Sequence, residues 1–81
     1  MSKRNIAGPR IKEARLKANM NQADLAAALS VDYDITLDRS DISELETQVR
    51  GIKDYELDAI AQILDVDVTW LLRGEEGVII R

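Results

Sequence analysis

The chain has 81 residues, 46 % of them hydrophobic but only 4 % aromatic, with no Cys, no His and a formal net charge of -4. That length allows one small domain, near the lower limit for folding without covalent staples. Lacking Cys and His, it has no disulfide framework, no thiolate metal site, and neither the commonest metal ligand nor the commonest general base. No metal or cofactor is therefore expected.

The core must be built from Ala, Leu, Ile and Val, and with one Pro and four Gly that composition suits a helical bundle better than a sheet. Charge is divided unevenly. Residues 1–20 hold Lys3, Arg4, Arg10, Lys12, Arg15 and Lys17 against Glu13 alone, a local balance of +5, and residues 21–81 carry -9. A local basic face can govern binding whatever the total. No apolar run approaches a membrane span, and "MSKRNIAGPR" lacks the apolar core of a signal peptide. The expectation is a soluble cytoplasmic protein.

Residues 1–7 read as a short basic arm. Pro9 can start a helix, because its missing N–H is not needed in the first turn. Ile11, Ala14 and Ala18, with Leu16 beside them, mark an inner face ending near Asn19. Asn21 caps the second helix, with Asp24 completing a capping-box variant, and Leu25, Ala28 and Leu29 form its apolar stripe. "SVDYDITL", residues 30–37, alternates Val31, Tyr33, Ile35 and Leu37. With no clear strand to pair with, it is expected to be a loop tucked onto the bundle. Asp38 caps a third helix to about Thr47, with Ile42, Leu45 and Val49 inward, and "QVRGIK" is a loop. Asp54 is expected to cap a fourth helix through Leu57, Ile60, Ala61 and Leu64. Asp67 caps a short fifth helix with Trp70, Leu71 and Leu72, stopping at Gly74. The segments divide into an arm (1–7), a helical domain (8–74) and an apolar tail (75–81).

Three of these stretches, in register, resemble one family. "RIKEARLKANMNQADLAAAL" is similar to the first two helices of lambda-repressor-like (Cro- and cI-type, XRE family) helix-turn-helix DNA-binding domains. "ISELE" at 42–46 is similar to the Ile-Ser-x-Ile-Glu of their third helix, and "DYELDAIAQILDVDVTWLL" to their last two. The resemblance covers roughly residues 8–74 and implies a compact all-α domain of five helices, here with a lengthened turn between the second and third. Two departures stand out: Asn19 and Gln48 occupy positions where the family usually has Gly. Asn tolerates a left-handed backbone; Gln48 needs another solution.

The resemblance also implies roles. Arg39, Ser40 and Glu44, with Asp41 in the same first turns, take the base-contacting positions of a helix in the major groove. There Arg39 would recognise guanine and Glu44 cytosine N4. Gln22 matches a phosphate-contacting glutamine, joined by Asn21, Arg10, Arg50 and Lys53, and Glu46 matches a glutamate paired with Arg15 of the first helix. The function implied is a sequence-specific double-stranded DNA-binding transcriptional regulator, a repressor acting as a homodimer. Trp70 and Leu71 are candidates for the dimer surface, with Val78, Ile79 and Ile80 adding an exchanged strand or arm. The monomer's own core is the alternative place for Trp70.

The third helix is acidic for a DNA-reading element, with Asp38, Asp41, Glu44 and Glu46 against Arg39. Asp38 and Asp41 have a capping explanation and Glu46 an ion-pairing one. Glu44 has neither, and is either a base reader or a solvated residue. The rival function is a protein-interaction module, antitoxin-like or an anti-repressor, with little or no DNA binding. An enzyme is not expected, since the carboxylates are scattered over caps and surfaces with no paired site.

Overall fold

A computed structural model describes residues 3–75 of the chain. They form five helices in the order α1 Gly8–Lys17, α2 Gln22–Tyr33, α3 Arg39–Glu46, α4 Asp54–Leu64 and α5 Val68–Arg73, with no strand among the described residues. No helix among these residues is long and apolar enough to cross a membrane.

Local chemistry sets the helix starts. In α2 the Asn21 side chain accepts from the Asp24 N–H while Asp24 accepts from the Asn21 N–H, and in α3 Asp38 and Asp41 repeat the arrangement. Each box satisfies two donors at the chain's entry into a helix. At α4 the first helical residue is Asp54 itself, and the carboxylate of Glu56 accepts from the Lys53 N–H at 2.9 Å. This corrects the expected cap at Asp54. The Asp67 side chain caps α5 through the Thr69 N–H.

Four helix ends share one solution. Asn19, Asp34, Gln48 and Asp65 adopt left-handed φ values of 61°, 57°, 69° and 56°. The residue after each then returns an N–H to the end of the helix: Met20 to Arg15, Ile35 to Leu29, Val49 to Glu44 and Val66 to Ala61. These bonds satisfy carbonyls that a helix end leaves free. The strain at Gln48 is offset by its side chain, whose Nε2 donates to the Asn5 carbonyl at 3.1 Å.

The core is formed by Ile11, Leu25, Leu29, Ile42, Leu45, Ile60 and Leu71, all fully buried, with Ala7, Ala14, Ala26, Leu37, Ala59, Ala61 and Leu64 around them. Helix α2 packs on α3 and α4, α1 packs on α3 and α4, and α5 closes the bundle against α4. Gly8 permits the tightest approach: a Cβ there would overlap the Leu45 carbonyl oxygen and lie 2.9 Å from that of Glu46. The start of α1 thus sits on the backbone that ends α3.

Several expectations about facing change. Residues 30–33 are the last turn of α2, not loop, and the connection to α3 is 34–38. Tyr33, Ile35 and Leu37 pack on the core, but Val31 is 81 % exposed, because a helical turn does not keep the alternation of a strand. Leu16 is exposed and Ala18 lies beyond the end of α1, whereas Arg15 is buried. Val49, past the left-handed turn, is 63 % exposed, so the inner face of α3 is Ile42, Leu45 and Glu46.

Candidate nucleic-acid interface

Helices α2 and α3 bring their N-termini to one surface. Gln22 lines a groove of about 490 Å³ with Asp38, Arg39, Ser40 and Ser43, and an adjoining hollow of about 450 Å³ is lined by Arg15, Asn21, Gln22, Ala23 and Arg39. Arg39, Ser40 and Asn21 are exposed and Gln22 half-buried. The capping boxes take the N–H groups of Asp24 and Asp41, which leaves those of the first two residues of each helix without an intrahelical partner. A face built this way accepts anionic oxygens.

Beneath it lies a buried charge pair. Arg15 Nε donates to Glu46 Oε2 at 2.6 Å and Nη2 donates to Oε1 at 3.0 Å, with the two side chains 7 % and 2 % exposed. The third guanidinium nitrogen donates to the Met20 carbonyl at 2.9 Å, and Gln22 Nε2 donates to Glu46 Oε1 at 3.1 Å. The hydrogen bond from Glu46 holds the Arg15 pKa above its ordinary value; burial opposes this, and the carboxylate's charge adds to it. A bidentate pair with its remaining atoms satisfied is the geometry in which buried charges are tolerated. The network ties α1, the start of α2 and the end of α3 into one unit.

The acids of α3 divide by role. Asp38 Oδ1 accepts from Ser40 Oγ at 2.7 Å and from the Asp41 N–H at 2.8 Å, and Asp41 Oδ2 accepts from the Asp38 N–H at 2.9 Å. Asp41 is therefore occupied by the cap, and Ser40 points its proton at Asp38. Glu46 is buried against Arg15. Glu44 alone is exposed with no hydrogen-bond or ion-pair partner for its carboxylate among the described residues.

The geometry of this face, two helices across a short bend with the second exposed at its first turns, is that of a helix-turn-helix. A family model described as "Helix-turn-helix domain" matches residues 8–77. The chain belongs to the helix-turn-helix domain family. Comparison with curated proteins returned no match.

Other residues singled out from the sequence lie elsewhere in the helix-turn-helix fold. Arg10 is turned toward α5, where Nη1 donates to the Leu71 carbonyl at 3.3 Å and the guanidinium packs on Gly74. Arg50 Nη1 lies 3.6 Å from Glu56 Oε1. Both are engaged within the domain and not extended from the groove. Lys53 is exposed at the entry to α4, its ammonium 5.9 Å from the Tyr55 ring centre. Leu71 is fully buried in the monomer, which removes it from any dimer surface. Trp70 is half-buried, and Val78, Ile79 and Ile80 lie outside the described residues.

Three functional groups escaped the sequence reading. Asn5 bridges the arm to the end of α3, Glu56 is 3 % exposed beneath the α3–α4 loop, and Gly8 seats α1 on α3. Glu56 had a local signal, an acid three residues after the entry to a helix. Asn5 and Gly8 had none strong enough, since their partners lie about forty residues away in the chain.

Proposed function

We propose that the chain is a sequence-specific double-stranded DNA-binding transcriptional regulator of lambda-repressor-like type, working as a repressor dimer with α3 in the major groove. The observation that carries this reading is the shared groove of Gln22, Asp38, Arg39, Ser40 and Ser43 at the two helix starts, held from below by the Arg15–Glu46 pair. In it Arg39 makes the bidentate contact to guanine O6 and N7, Ser40 bonds a neighbouring base, and Glu44 accepts from cytosine N4. Gln22, steadied by Glu46, and Asn21 lie beside the free N–H groups of α2 that bind phosphate, and Lys53 adds a contact at the start of α4.

The modest number of cations on this face supports a dimer, and a protomer of 33 × 31 × 22 Å is of a size to serve half-sites one turn of duplex, about 34 Å, apart. The exposed part of Trp70 is the proposed contact. Selection of bound duplexes from a randomised pool tests the reading. A two-fold symmetric consensus with half-sites about one turn apart is expected; a pool that stays random after several rounds contradicts it.

The unpartnered carboxylate of Glu44 and the charge of -9 over residues 21–81 favour a second reading, a protein-interaction module with an acidic third helix. A stable hetero-complex formed by a protein that binds no DNA would support it.

A further inference from the structure

Residues 4 and 5 are bonded to the exit of α3. The Arg4 N–H donates to the Gln48 carbonyl at 2.9 Å. Asn5 Nδ2 donates to two carbonyls, Leu45 at 3.0 Å and Arg50 at 2.7 Å, while its Oδ1 accepts from the Gly8 N–H at 2.7 Å. Gln48 Nε2 closes the circuit on the Asn5 carbonyl. One amide side chain thus uses both donors and its acceptor to join three places: the start of α1, the last turn of α3 and the loop after it. Each bond satisfies a backbone group that a helix end or a tight loop leaves free.

This arrangement gathers basic residues. Lys3 and Arg4 are exposed, and the Arg4 carbonyl lies 3.7 Å from where a Cβ would sit on Gly51. The arm therefore runs along the loop that carries Arg50 and ends at Lys53. Arg50 is compensated by Glu56, which leaves Lys3, Arg4 and Lys53 as the outward charges. The eight residues of α3 span about 12 Å, close to the roughly 12 Å width of a major groove. The fastened arm thus stands about one groove width from Arg39, at the other end of α3.

We propose that Asn5 is a positioning residue that fastens the basic arm to the exit of α3, so that Lys3 and Arg4, with Lys53, form a second phosphate-binding edge. The proposal rests on the DNA-binding reading and adds to it a fixed arm in place of a free one. Asn5 carries no charge, and this separates its role from simple electrostatics. Each phosphate contact contributes about 0.9 to the slope of log affinity against log salt, and a neutral side chain can lower that slope only by displacing cations.

The test uses the full chain with a random duplex, titrated over a salt series, for wild type, Arg4→Ala, Asn5→Ala and the double variant. Folded fraction is checked by thermal melting, and amide hydrogen exchange is read at Arg4 and Gly8. Arg4→Ala is expected to lower the slope by about one. Asn5→Ala is expected to lower it by at least as much and to lose protection at both amides, with the double variant no lower than Asn5→Ala. An Asn5→Ala protein that binds more weakly only in proportion to its unfolded fraction, with the wild-type slope, overturns the positioning role and leaves the DNA reading standing. Wild type that is protected at both amides but binds no duplex overturns the DNA reading and the role together.

Discussion

The carboxylate of Asp38 is held in its ionised form first by the Ser40 hydroxyl and then by the Asp41 N–H, which lower its pKa below the ordinary value. A group whose pKa is lower folded than unfolded stabilises the fold above the unfolded value, about 3.9, and loses that contribution as pH falls through the folded value. Asp38→Asn keeps a good cap but no titration. Melting temperature followed from pH 7 to pH 2 should show wild type losing more stability below about pH 4 than the variant does. Parallel curves would mean that the cap gains nothing from charge. Glu44 makes the opposite case, a carboxylate with no partner on a face proposed to meet phosphate. Glu44→Gln should bind random duplex more tightly at low salt, with the advantage shrinking as salt screens it. An unchanged affinity at low salt would place Glu44 away from the duplex.

Helix starts were legible in the sequence because a capping box is local: Asn21 with Asp24 and Asp38 with Asp41 need no knowledge of the fold. The faces of the helices were less legible. Periodicity marks apolar residues, and it passed over Arg15 and Glu46 as core members because a charge is buried only when its partner arrives from another helix. Only the family resemblance suggested that pairing. Val31 and Val49 failed for other reasons: Val31 sits in the last turn of α2, which does not keep a strand's alternation, and Val49 lies one step past the left-handed Gln48, where the register of α3 is lost. The Arg15–Glu46 pair also sets the strength of the α1–α3 junction. Glu46→Gln leaves the Arg15 guanidinium, 7 % exposed, without its counter-charge, and breaking a buried pair costs about 3–5 kcal/mol. For a domain of this size that is a fall in Tm of about 12–40 °C, since each kcal/mol moves it by roughly 4–8 °C. A variant melting within a degree or two of wild type would show that the pair contributes nothing net.

At the level of the whole molecule, the net charge of -4 hides a functional division. Part of the acidity lies in caps and in two pairings, the buried Arg15 with Glu46 and the partly exposed Arg50 with Glu56. The arm retains its positive character, with Lys3 and Arg4 exposed. The groove between α2 and α3 could be anticipated because Gln22 and Arg39 sit in recognisable stretches. The fastening of the arm could not, because hydrogen bonds from Asn5 to carbonyls about forty residues away leave no pattern in a single sequence. The central claim is that the face bearing Gln22 and Arg39 meets DNA. Binding of a random duplex at two salt concentrations, for wild type beside Arg39→Ala and Gln22→Ala, tests it most directly. The account predicts affinity that falls steeply with salt and is weakened by both substitutions. Salt-dependent binding indifferent to both substitutions, or no binding even at low salt, would contradict it.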